Sequence, residues 1–508
     1  MGLSSILSTA TQGLQTVETE IEWRTDNVNN ATSTTYARRD PVTVSLSGQG
    51  VTATITRASD TALQSEYLSA SSASSAAGTT SDYFTQISDI LGTSTSDSSS
   101  TLQTDMDSFT SAWQSFETDT SDSTSETEIV DTGQTLAQDM NSEAQQLQKL
   151  GEQASESAAD QVTTLNGQLS TLATVNAEIA ANPNAATTDP DLLDQRDSLV
   201  SDISGVVGVN VVTRSDGSVA LYTNNGTVLV DKTAAQFQWN AGTGGTQGYV
   251  SLAGKTTSAP GLNAGFSGGT LGATIDFLNP STSSSNAAVG TLAKAQAQLD
   301  NLALQLTGQS SGTFGGAYYD ATADRSTDLA GGSSPATAIY AASGSTAAAT
   351  AAGWDGSALT SFFTIDNGST TGPTAPTETP SQSLAVNAAL VSGSATVKRE
   401  SATAVVAALT SASRSLSVGG VNVTGQTYSG LAAAIADYQS TSEATASSNS
   451  TSLSATTTTL QTRLTNEIGV NTDTEMAQLT VLENDYAANA KVISTVQSMF
   501  DTLFAIST

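Results

Sequence analysis

A chain of 508 residues without one cysteine or histidine has no disulfide, no thiolate nucleophile, no zinc–thiolate site and no imidazole base. Its 48 acids against 16 bases, a formal charge of −32, leave no cationic cluster to neutralise phosphates, so nucleic acid and anionic membrane are poor partners. Nothing reaches the roughly 18 apolar residues of a membrane span, and the length calls for roughly two to four domains.

The chain opens on a heptad ladder. Leu3, Leu7, Ala10, Leu14, Val17, Ile21, Val28 and Ala31 alternate by four and three, with Arg24 the one off-type member. Such a narrow apolar seam belongs to a helix made to pair. No Lys or Arg precedes Arg24, so the charged start of a secretory signal is missing. Tyr36, Arg38 and Arg39 follow and read as an exposed turn. The period then becomes two: Val42, Val44 and Leu46, then Val51, Ala53 and Ile55, a hairpin about "SGQG".

Helical spacing returns from Leu63 to Ile179, first as Leu102, Met106, Phe109, Trp113 and Phe116. A long stripe runs through Leu136, Met140, Ala144, Leu147, Leu150, Leu165, Leu172 and Ile179, the pattern of a rod-like helix that "ANPNAATTDP" ends. Asp189 and Pro190 then read as an N-cap and first helical residue. In "LLDQRDSLV" the carboxylates Asp191, Asp194 and Asp197 recur every third residue. Their spacing lacks the glycine and glutamate of a calcium loop, so they read as the solvated start of a helix. Arg196 has Leu192, Leu193, Leu199 and Val200 at helical spacing and no carboxylate there. Either its stem lies along the apolar face, or it ties this helix to the strand region by a charge-assisted pair.

Residues 205–290 read as strands and turns, with "SDG" and "NNG" as hairpin signals. "GYVSLAGKT" has five residues between its glycines where a phosphate loop has four, and "GQGVTA" precedes a strand instead of a helix, so no nucleotide cofactor is expected. Helix resumes over 287–307, residues 308–383 are rich in Gly, Ser, Thr and Pro, and helix returns from 384 through 415 and over 428–468. "TDTE" at 472–475 fits a capping box of Thr472 and Glu475. The last ladder is Leu479, Leu482, Tyr486, Ile493, Val496, Phe500 and Leu503, with Asn489 as its polar member. Chain ends ordinarily fray, yet both ends here carry seams that need burial. Isolated seams gain little alone, so the ends are expected to be disordered in a free monomer. Spacing leaves open whether they pair within one chain or between copies.

The expected fold class is α+β and multidomain: a long helical bundle or rod with terminal coiled-coil helices and an inserted antiparallel β-rich domain. The expected divisions are 1–40 with 469–508 as terminal coiled-coil helices, and 41–190, 287–307 and 384–468 as a helical rod with a hairpin. Residues 191–286 form the β-rich domain and 308–383 a loop or reduced outer domain.

Several stretches carry a resemblance. "GLQTVETEIEWRTDNVNNATSTTYARR" resembles the Asn-rich signature shared by rod, hook and hook-associated proteins. "DLLDQRDSLVSDISGVVGVNVV", then "DGSVALYTNNGTVLV" and "SGGTLGATIDFLN", and finally "GVNTDTEMAQLTVLENDYAANAKVISTVQSMFDTLFAI" follow in order. Together they resemble the FlgK family, the bacterial flagellar hook-associated proteins of the hook–filament junction. The resemblance implies a non-enzymatic structural adaptor joining hook to filament, without catalytic, cofactor or metal residues. It implies self-association in the axial structure through Leu3, Leu7, Leu14, Val17, Ile21 and Val28 with Leu479, Leu482, Tyr486, Asn489, Ile493, Val496, Phe500 and Leu503. Other implied partners are the hook protein, the neighbouring hook-associated protein and an export chaperone on the C-terminal helix. Type III export without a cleaved signal peptide would place the chain outside the cell, on the flagellum. Asp194, Arg196 and Asp197 are then a structural joint between helical and β domains. The nearest alternative is a flagellin or another hook-associated axial protein; a secreted carboxylate glycosidase using acids such as Glu117 and Glu128 is the enzyme alternative.

Overall fold

The computed structural model describes residues 2–46, 50–92, 101–119, 122–182, 184–241, 248–253, 262–279, 290–307, 362–365, 379–393, 397 and 399–507. The tip of the first hairpin, Gly254 of "GYVSLAGKT" and most of 308–383 lie outside the described residues. The fold is α+β, with long helices and several small antiparallel sheets. In order come α1 (Leu3–Asn29), β1 (Arg39–Leu46), β2 (Gly50–Arg57), α2 (Thr61–Leu91), α3 (Thr101–Thr118), α4 (Ser123–Ala181), α5 (Ala185–Thr188) and α6 (Pro190–Val206). Strands β3 (Val209–Thr213), β4 (Val219–Thr223), β5 (Val228–Val230), β6 (Phe237–Asn240) and β7 (Tyr249–Leu252) precede α7 (Gly269–Leu278) and α8 (Thr291–Thr307). Then follow β8 (Phe363–Ile365), β9 (Leu384–Val386), α9 (Ala388–Val391), α10 (Arg399–Thr410), β10 (Arg414–Val418), β11 (Val421–Gln426), α11 (Tyr428–Ile468) and α12 (Thr472–Ser507).

Helix α4 is the spine. At 59 residues it is long enough for about 90 Å of rise, and Asp122 opens it by accepting from the Thr124 amide. Its apolar stripe from Leu136 to Ile179 is buried throughout, but against different neighbours. The first half joins a core with Phe109, Trp113 and Phe116 of α3 and with Phe362 and Phe363. These rings meet at steep angles, Phe362 and Phe363 with centroids 4.9 Å apart. Gly133 admits them: a Cβ there would stand 2.7 Å from the Phe362 ring. The second half, from Ala158, packs on α6, α7 and the β3–β4–β5 and β6–β7 sheets.

Asparagines fasten those sheets to the spine. Asn176 donates to the Val219 carbonyl at 2.8 Å and accepts from the Val219 amide at 2.9 Å. Asn166 treats Phe237 the same way, at 2.7 and 2.9 Å. A carboxamide carries a donor and an acceptor side by side, as a neighbouring strand does, so α4 stands in for a strand edge.

Three sequence expectations are corrected here. The 205–290 region contains α7, because "TLGATIDFL" is apolar nearly all round and buried on most faces, which hides its helical period. Residues 384–386 form β9, paired with β8, instead of opening a helix. The cap of α12 is Asn471, whose Oδ1 accepts from the Thr474 amide at 3.1 Å, one residue before the expected Thr472.

Helices α2 and α11 pack along each other through small side chains; Thr457 donates to the Ala70 carbonyl at 3.0 Å. At the termini α1 and α12 pack together within one chain. The expected disorder of the ends overlooked that the chain carries its own partner.

Replacing Asn176 with alanine leaves both backbone groups of Val219 without their partner beneath the sheet. Stability is expected to fall by about 2 to 3 kcal/mol, read from urea unfolding. Asn176→Asp, which keeps the shape but loses the donor, is expected to fare no better.

Candidate assembly surface and its joint

The joint starts at the last turn of α1. Asn27 is fully buried; its Nδ2 donates to the Arg39 carbonyl at 2.9 Å. Its Oδ1 accepts from the Arg39 amide at 3.0 Å and from the Tyr36 hydroxyl at 2.8 Å. One side chain thus folds residues 30–38 back onto the helix they leave. Burial pushes the Tyr36 phenol above its ordinary value, so it remains a neutral donor.

Arg39 and Arg57 face each other across the base of the β1–β2 ladder. Two guanidiniums so placed need anions, and α6 brings them at three-residue spacing. Arg39 lies 4.7 Å over the Tyr36 ring and pairs with Asp191, with Asp194 at 3.7 Å and Asp26 at 3.9 Å. Arg57 bonds Asp194 at 2.7 Å and Asp197 at 2.8 Å. Asp194 also accepts from the Ala37 amide at 3.3 Å. Burial pushes the Asp194 carboxyl up from its usual range, and the guanidiniums of Arg57 and Arg39 oppose that push. Arg196 holds Asp197 through Nε at 2.8 Å and Nη2 at 2.6 Å, and its Nη1 donates to the Gly217 carbonyl. Gly217 sits in the β3–β4 turn at a φ of +86°, where a side chain would be strained. The network therefore runs from α1 through the hairpin and α6 to the β sheet.

The solvated-helix reading of "LLDQRDSLV" holds for Asp191 alone. Asp194 is buried, and the Asp197 side chain is 16 % exposed. Their cations arrive from the β1–β2 hairpin, so spacing on α6 could not reveal them. Arg196 does have a carboxylate, its next neighbour Asp197, and its tie to the strand region is to a backbone carbonyl. Asp189 holds the N-cap position without a side-chain bond. Tyr36 and Arg39 are buried, not an exposed turn. Among the described residues no group of acids has the arrangement to hold a metal ion.

A second clamp joins the two ends of the chain. Arg24, the misfit of the first ladder, reaches Glu475 on α12 at 2.7 Å, and Glu475 is 1 % exposed. Glu475 thus serves an ion pair and not the expected capping box. The Arg38 amide donates to the Ile468 carbonyl at 2.7 Å and its Nη1 to the Gly469 carbonyl at 3.2 Å. Gly469 breaks α11 from α12, and a Cβ there would stand 2.3 Å from the Thr465 carbonyl oxygen.

Along the α1–α12 pair, Val17, Leu482 and Val496 are buried. Leu7, Leu14, Ile21, Val28, Leu479, Asn489, Ile493 and Phe500 are half-buried, and the Leu3 side chain lies outside the described set. Asn489 fits where α1 has Gly13: a Cβ at Gly13 would stand 3.2 Å from its Oδ1. Tyr486 and Leu503 remain 40 % and 55 % exposed. A second stripe, Val481, Ala488, Val492 and Met499, recurs at helical spacing beside the seam, about a quarter turn away. Val481, Val492 and Met499 are likewise exposed.

Arg57→Met leaves Asp194 and Asp197 without their closest inter-element cation. It is expected to lower stability by about 3 kcal/mol in denaturant unfolding, and Asp194→Leu in the same chain to restore part of that loss.

Comparison with known proteins matches two stretches of the chain. Residues 84–313 match the family described as "Flagellar hook-associated protein FlgK helical domain". Residues 465–506 match "Flagellar basal body rod FlgEFG protein C-terminal". Flagellar hook-associated protein 1 of Salmonella typhimurium, and that of Salmonella typhi, are each 41 % identical over 78 residues. The aligned stretch is 15 % of this chain and 13 % of each relative. The flagellar hook junction protein FlgK from Burkholderia pseudomallei is a solved structure with 24 % identity and a TM-score of 0.40, over 48 % of this chain and 42 % of that one. The helical-domain match takes in a little under half of the sequence and the C-terminal match a further short stretch, and together with the curated relatives they indicate a hook-associated protein of the FlgK family.

Proposed function

We propose that the chain is a non-catalytic axial subunit that joins the flagellar hook to the filament and assembles through its terminal helices. The observation that carries this reading is the state of α12. One of its apolar faces is used within the chain against α1, while Val481, Val492, Met499 and Leu503 remain exposed. A helix with one face satisfied and a neighbouring stripe open is suited to lateral packing against further copies. On this reading residues 1–40 and 469–508 form the inner axial part, with the rod and β-rich divisions outside it. Asp194, Arg196 and Asp197 fix the joint between helical and β parts. Hook protein on one side and another hook-associated protein on the other are its neighbours, and a chaperone covers the C-terminal helix during export without a cleaved signal. The glycosidase reading gains nothing from Glu117 and Glu128, which lie on separate helices, the latter exposed.

Immunogold electron microscopy of sheared flagella, with antibody against 205–253, tests the location. A short band between hook and filament is expected; label along the whole filament would make the chain a filament subunit instead. The double variant Val492→Glu and Met499→Glu is expected to give a folded monomer with wild-type helix content that no longer enters flagella. Normal incorporation of that variant would remove the outer stripe from the assembly contact.

A further inference from the structure

Three carboxyl groups meet between α3 and α4, far in sequence from the arginine joint. Asp105 lies on α3 between the buried Leu102 and Met106. Asp139 and Glu143 lie one turn apart on α4, flanking the buried Met140. Glu143 is 5 % exposed, and its Oε2 is buried with no donor in reach. The Asp105 Oδ2 is buried without a donor as well, while the Asp105 carboxyl is in hydrogen-bond contact with Asp139. Two carboxyl groups can share a hydrogen bond only if one of them holds a proton.

Among the described residues no cation bears on this cluster. The charges that bear on Glu143 are those of Asp105 and Asp139, both of its own sign. Helix α10, packed on α3, turns Ala402, Val405 and Leu409 into the core, its Arg399 and Glu400 side chains lying outside the described set, and β9, packed on α4, contributes Leu384 and Val386. Helix α11, which also meets α3, carries Tyr428, Asp437, Tyr438 and Glu443 in its first half and Arg463 and Glu467 near its far end, and α8, which meets α4, carries Lys294 and Asp300. The Tyr428 ring is occupied by Arg414, 4.6 Å above it, and Asp300 accepts from Ser381. On α4 itself the one basic residue, Lys149, is exposed. The cluster has no coordination geometry for a metal among the described residues. Protonation is the remaining way to hold such groups out of water.

We propose that Asp105, Asp139 and Glu143 form a proton-held latch that keeps α3 on α4 while protonated and loosens this helix pair when it ionises. Burial, then the charges of Asp105 and Asp139, push the Glu143 carboxyl up from 4.5 to about 9. Burial and Asp139 push Asp105 up as well. The folded chain therefore keeps a proton that the unfolded chain has lost. Stability supplied by the latch is complete below the ordinary value of 4.5, declines as pH rises through about 9, and levels off above.

The test is thermal unfolding with amide exchange of residues 101–118, from about pH 5 to about pH 10, in wild type, E143Q and D105N. Wild type is expected to lose several degrees of Tm relative to E143Q as pH rises from about 5 to about 9, with no further loss above and with faster exchange in 101–118. Titrations outside the cluster act on both chains and cancel in the difference. Parallel pH profiles of wild type and both variants would overturn the latch. Should the variants fail to fold, infrared spectroscopy of wild type decides. A protonated-carboxyl band at neutral pH that fades in alkali supports the latch, and its absence at neutral pH refutes it.

Discussion

Everything at the base of the rod depends on one amide. The Asn27 side chain holds both backbone groups of Arg39, and that contact turns the chain after α1 so that Arg39 and Arg57 stand together at the hairpin base. Two guanidiniums brought that close repel unless carboxylates intervene, and α6 supplies Asp191, Asp194 and Asp197 from one face. The arginines therefore fix where α6 lies, and Arg196 on α6 fixes the β3–β4 turn through Gly217. Loss of the amide contact would free the first cation and with it the order of the network.

The same device recurs elsewhere. Asn166 and Asn176 bond strand backbone from α4, and Asn263 bonds the Val250 amide and the Gly248 carbonyl. In a chain so poor in charge, the carboxamide joins elements at little desolvation cost, because it brings no ion with it. Among the described residues, ion pairs gather at the hairpin joint, at the Arg24–Glu475 pair that ties the chain ends together, and at Arg214 with Asp231 in the β sheet region. Between Arg57 and Arg196 the one cation is Lys149, which is exposed, so Asp105 and Glu143 have no buried cation on their own helices.

The terminal pair follows from economy of apolar surface. Seams of two in seven residues are too narrow to hold a helix alone, and α1 and α12 solve this for each other. Their shared face is small, which leaves apolar residues of α12 uncovered. The matched flagellar families and this uncovered stripe both support the proposed packing along an axial structure.

Period and punctuation were readable from residues alone. The ladders of α1, α3, α4 and α12 and the hairpin of β1 and β2 are local patterns, and "NPN" and "TDP" mark real breaks. So was the crowding of "LLDQRD", since Asp191, Asp194, Arg196 and Asp197 all enter the joint. Their roles were not readable. Whether a carboxylate is solvated or buried depends on what lies opposite, and Arg39 and Arg57 are more than 130 residues away, Asp194 and Arg57 being 137 apart. For the same reason Arg24 looked like a flaw in a ladder until Glu475 stood beside it, and α7 looked like strand until its burial on most faces was known. Helical and strand periods are set by bonds to near neighbours, so they are written in the chain. Electrostatic partners are set by contacts that exist only once the chain has folded.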